Sequence, residues 1–205
     1  MATGLSLTHY SNGSFETPNL GINMAALTLS LSLKLGSDSL TSRKEIPYEK
    51  DQQWQLFASA FAKEVAPADG DKFMVGTLMA EHMWRRSAKF SFGAGGDVFL
   101  DKSLSEEDSF KESNGFLGYI RSGVHASTEM HVGRTALVLA MGGYLYSGVT
   151  GETFYHRFGI RQQIGERYLV CMHVKSHWGK ADFMEFGIAR VWKDKKQKGQ
   201  IQNRG

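Results

Sequence analysis

The chain has 205 residues, 41% of them apolar, and a formal net charge of +3, with a mean hydropathy of −0.31. That length suits one domain with a full core or a closed barrel. No run of 18 apolar residues occurs, which excludes a membrane helix but not a membrane barrel, whose strands hide the lipid signal in alternation.

Strand patterns recur from the first residues to the last, separated by turn signals, and no helical periodicity of comparable length competes with them. The expected strands are 4–11, 22–35, 54–65, 73–85, 89–100, 116–131, 135–147, 153–164, 167–176 and 182–192. In the second, Leu27, Leu29, Leu31, Leu33 and Leu35 alternate with Ala26, Thr28, Ser30, Ser32 and Lys34. In the seventh, Leu137, Leu139 and Met141 oppose Ala136, Ala140 and Gly142. In the eighth, Phe154, His156, Phe158, Ile160 and Ile164 share one face, and Tyr155, Arg157, Arg161 and Gln163 share the other. A soluble sandwich would bury the apolar face, whereas a membrane barrel turns it to lipid and takes charge inside. Alternation is the same in both.

The connections break that symmetry. Segments 86–88, 132–134 and 165–166 are very short, and 101–115 is long and polar, which is the rim asymmetry of outer-membrane barrels. Segment 36–53 is the exception, being long on the short-turn rim. Trp54, Tyr119, Tyr144, Tyr146, Tyr168, Trp178 and Trp192 lie near strand ends, where interfacial girdles or ordinary core positions would place them. Gly93, Gly95 and Gly96 precede no helix, so they are read as a bend or a close backbone approach and not as a phosphate loop. Residues 1–193 are taken as one β-barrel domain and 194–205 as a basic polar tail, solvated and not a nucleic-acid arm. The single Cys171 excludes an internal disulfide.

Chemistry concentrates near the start, in His9-Tyr10-Ser11-Asn12. His9 and Ser11 are two apart on a strand, so they leave the same face, roughly 6.5–7 Å apart at Cα. Leu5 and Leu7 share that parity. If the first two strands form a hairpin, a register pairing His9 with Asn23 also pairs Leu7 with Ala25 and Leu5 with Leu27, so one register satisfies the apolar pattern and gathers His9, Ser11 and Asn23. Such parts suit acyl transfer: a serine needs a positioned imidazole, the imidazole needs a third group, and Asn12 or its N–H can stabilise an oxyanion. Taken alone, the same quartet also describes a strand end entering an Asn-Gly turn. His173 and His177, four apart on a strand, give no helix-style metal pair.

The string His9-Tyr10-Ser11-Asn12-Gly13, then Pro18-Asn19-Leu20-Gly21 and a long alternating strand, resembles the PagL-type lipid A deacylases, also called acyloxyacyl hydrolases. Residues 177–188 also look like the C-terminal strands of longer family members. The resemblance implies an all-β, antiparallel up-and-down transmembrane barrel, about 8–10 strands of which lie in this chain. It implies a lipid-facing site with Ser11 as nucleophile, His9 as general base and Asn12 at the oxyanion. The substrate would be lipid A or lipopolysaccharide among outer-membrane lipids, with no cofactor, no metal and no nucleic-acid partner. The family's acidic position falls on Asn23, with Glu16 nearby as a lesser substitute. Met1-Ala2-Thr3 leads straight into a strand without a leader, so the chain is read as mature or as the C-terminal part of a longer barrel. Two other readings stay open: a non-catalytic barrel of the same descent, and a soluble sandwich or calycin-like lipid binder.

Overall fold

The computed structural model describes residues 2–10, 22–30, 51–65, 71–107, 110, 112–149, 153–178 and 180–193. Ten strands form: β1 (Ala2–Tyr10), β2 (Ile22–Ser30), β3 (Gln52–Glu64), β4 (Lys72–Arg85), β5 (Phe90–Asp101), β6 (Ile120–Val132), β7 (Thr135–Ser147), β8 (Phe154–Ile164), β9 (Tyr168–His177) and β10 (Lys180–Lys193). β1 and β2 pair with each other as a two-stranded sheet, and β3–β10 close into an eight-stranded antiparallel barrel in which β10 returns to β3. The all-β antiparallel barrel that the family resemblance implies is therefore present, with eight of the ten strands in its wall.

Parity sorts the wall. Arg157 and Glu185 are 0% exposed, while Leu139 and Phe158 are each 51% exposed. Charge lies inside and hydrocarbon outside, the inside-out order of a membrane-spanning barrel, so the soluble-sandwich reading is set aside. Eight strands leave an interior just wide enough for side chains, and two apolar clusters help to fill it. One comprises Phe57, Met79, Leu169, Cys171, Ala189 and Val191, the other Val75, Phe99, Tyr155 and Phe183. Between them runs a chain of buried ion pairs. Arg157 donates to Glu185 at 2.6 Å and to Asp97 at 3.1 Å. Arg161 donates to Glu81 at 2.8 Å and to Glu129 at 2.7 Å. His125 joins the two halves, 2.6 Å from Asp97 and 3.2 Å from Glu81. Buried charges persist when paired and hydrogen-bonded, as these are.

Several expectations are corrected. Residues 116–119 belong to a 3-10 segment, Glu112–Tyr119, and not to a strand; Gly115 there takes φ 53°, a left-handed conformation that interrupts extended backbone. Segment 36–53 is no barrel turn, because the barrel begins at Gln52, and so the exception to the rim rule disappears. The barrel's connections 86–89, 133–134 and 165–167 share one rim with residues 52 and 193; the other rim carries 65–71, 102–119, 148–153 and the tight 178–179. Of the two places left open for the strand-end aromatics, Tyr144 takes the interior one, stacking on Tyr155 at 4.9 Å and bonding His177 at 2.8 Å. Trp54, Tyr168 and Trp192 are outward and 42–49% exposed at the short-turn rim. Gly95 makes a close approach as expected, since a Cβ there would stand 2.3 Å from the Ala80 carbonyl oxygen.

Candidate active site

Alternating leucines and a small or polar reverse face make β1 and β2 a hairpin rather than helices. Their register pairs Leu5 with Leu27, Leu7 with Ala25, and His9 with Asn23. That is the register derived from the apolar pattern. The Thr28 hydroxyl donates to the Gly4 carbonyl across the pair at 3.0 Å. Leu5 and Leu27 face each other at 83% and 81% exposure, and Leu29 is 67% exposed. This face is hydrocarbon without protein cover among the described residues, and such a surface belongs against lipid or another apolar partner.

His9 and Asn23 thus occupy facing backbone positions at the end of the hairpin, at the parity of Leu5 and Leu27. Ser11, Asn12 and Glu16 lie outside the described residues, as does the tail 194–205. His173 and His177 point into the barrel interior, where they belong to the ion network. His173 lies 3.4 Å from Glu185 and His177 3.7 Å from Asp182.

The residue of functional interest that sequence reasoning passed over is Arg190. Its guanidinium stands 5.1 Å over the Trp192 ring on the outward face of β10. The signal was available as a charge within the outward series Phe186, Ile188, Arg190, Trp192.

Comparison with known proteins divides the chain as the sheets do. Residues 1–32, which contain the hairpin, match the family described as lipid A 3-O-deacylase (PagL). Residues 52–193, the barrel, match the acyloxyacyl hydrolase C-terminal domain. No curated protein is similar enough in sequence to count as a match. Among solved structures, Ail, the attachment invasion locus protein of Yersinia pestis in complex with the heparin analogue sucrose octasulfate, aligns over 71% of this chain and 97% of its own. It does so at 8% identity and a TM-score of 0.32, a likeness too slight to inform the site.

Proposed function

The chain belongs to the acyloxyacyl hydrolase (PagL) family of lipid A deacylases, and on that premise we propose that it is an outer-membrane esterase releasing an ester-linked acyl chain from lipid A. Ser11 Oγ attacks the ester carbonyl while His9 takes its proton. The tetrahedral oxyanion is held by Asn12 or its N–H. Collapse expels the sugar alcohol, which receives the proton back from His9, and an acyl-serine remains. Water, deprotonated by His9, then cleaves that ester, giving free fatty acid and regenerating Ser11. Asn23 keeps the imidazole in the tautomer that leaves its basic nitrogen toward Ser11.

The observation that carries the reading is the hairpin register, which sets Asn23 opposite His9 at the parity of exposed leucines. A deacylase must meet acyl chains without drawing them through water, and a site at that parity faces hydrocarbon directly. Asn23 itself favours a second reading, a non-catalytic barrel of this family, because an amide supplies no charge for imidazolium. Purified protein incubated with lipid A in detergent distinguishes the two. Mass spectrometry should show loss of one acyl chain with wild type and none with Ser11→Ala. Unaltered lipid A with folded wild-type protein supports the non-catalytic reading.

A further inference from the structure

The outward face of β10 runs Met184, Phe186, Ile188, Arg190, Trp192, with Ile188 58% and Trp192 42% exposed. Among the described residues, Arg190 is the one Lys, Arg, Asp or Glu on the barrel's outward face that has apolar outward neighbours on both sides along its strand. Elsewhere at outward parity, Lys72 is exposed at the start of β4 and Glu64 is buried beside it at the end of β3. A guanidinium in contact with hydrocarbon is costly unless the side chain reaches the interface. Arg190 does so along Trp192, two residues nearer the short-turn rim, with its charge over the indole. There Arg190, Trp192 and Lys193 meet Glu166 and Arg167 from the β8–β9 turn around a recess of about 400 Å³. The Val191 N–H donates to the Arg167 carbonyl at 2.8 Å, which fixes that turn against β10.

Among the described residues, charge around the two rims is unequal. At the short-turn rim the exposed cations Arg86, Lys89, Arg134, Arg167, Arg190 and Lys193 stand with the acids Asp51 and Glu166. On the opposite rim exposed Lys72, Lys102 and Lys180 are balanced by Asp71, Glu106 and Glu107. A basic rim beside an aromatic belt is the chemistry that holds anionic headgroups.

We propose that this recess binds the phosphate of an anionic glycerophospholipid in the leaflet at the short-turn rim. Arg190 and Arg167 donate to the phosphate oxygens, Lys193 adds charge, and Trp192 lies along the glycerol–acyl boundary. A lipid is favoured over a free anion because Arg190 enters the recess from the lipid-facing surface. The inference depends on the barrel lying in a membrane and not on the deacylase reading, so failure of either leaves the other standing.

The test is native mass spectrometry of the full chain in neutral detergent with phosphatidylglycerol, phosphatidylcholine or inorganic phosphate. Wild type should retain phosphatidylglycerol in preference to phosphatidylcholine. Arg167→Gln with Arg190→Gln should weaken that retention about 25-fold, at roughly fivefold per basic residue near an anionic surface. Lys72→Gln with Lys102→Gln on the other rim should leave it unchanged. Should the double variant fail to fold, Arg190→Lys keeps the charge without the bidentate fork and should weaken retention by a smaller factor. Equal retention of the two lipids, wild-type retention by the folded Arg167/Arg190 variant or by Arg190→Lys, or displacement of phosphatidylglycerol by millimolar phosphate would overturn the proposal.

Discussion

Asn23 pairs with His9 at the position where the resemblance to PagL-type enzymes puts an acid. A carboxylate there would both orient an imidazole and stabilise imidazolium; an amide supplies no charge for the second, and the equivalent acid-to-amide change in a serine protease triad costs about 10⁴ in turnover. Asn23→Glu is therefore expected to raise the rate of lipid A deacylation by orders of magnitude, read as acyl chain released per minute. An unchanged or lower rate would remove Asn23 from the site. The interior makes a different demand on single residues. Arg157 is fully buried between Glu185 and Asp97, so Arg157→Met takes the guanidinium away from two buried carboxylates. Breaking a buried pair from one side costs roughly 3–5 kcal/mol, to be read as a loss of unfolding free energy in denaturant. Adding Glu185→Leu should recover part of it. A single variant as stable as wild type would show that the pair contributes nothing to the fold.

At the scale of elements, the hairpin was legible because a side-chain period of two admits one register once both apolar faces must agree. Leu5, Leu7 and His9 found their partners by that rule alone. The start of β6 was not legible. Residues 116–119 look strand-like by composition, but the 3-10 path with Gly115 at φ 53° delays the strand to Ile120. The glycines of β5 were readable as a close approach but not individually. Gly95 faces inward against Ala80 and Glu81, while a Cβ on Gly96 would meet the Gly123 carbonyl oxygen at 3.6 Å, an ordinary contact. Gly95→Val should thus destabilise the barrel by about 1–3 kcal/mol through overpacking, whereas Gly96→Ala should fall within about 0.5 kcal/mol of wild type. Equal melting temperatures for the two variants would contradict the β4–β5 geometry.

For the whole molecule, alternation alone left open which of the two faces is inside, and it was the connection lengths and the family resemblance that pointed to a membrane barrel. Arg157 with Arg161, and Phe158 with Ile160, satisfy a sandwich as well as a barrel until β10 closes on β3. In the closed barrel Arg157 and Arg161 lie within and Phe158 and Ile160 outside, and the buried ion pairs then have their partners. If the outward face lies in hydrocarbon, Leu139→Arg, mid-strand on β7, should cost about 2–4 kcal/mol in reversible folding into bilayers. Val132→Arg, at the strand end, should cost roughly 0–1 kcal/mol by the same depth rule. Equal costs would argue against a transmembrane placement.

The proposed mechanism requires that Ser11 be activated by its sequence neighbour His9. A phosphonate ester carrying a long acyl tail tests it most directly, because only an activated serine displaces the leaving group and retains the phosphorus. Peptide mapping of the folded protein in lipid should find the adduct on Ser11, and His9→Ala should abolish it. An unlabelled Ser11 in protein that removes acyl chains from lipid A, or equal labelling after His9→Ala, would contradict the account.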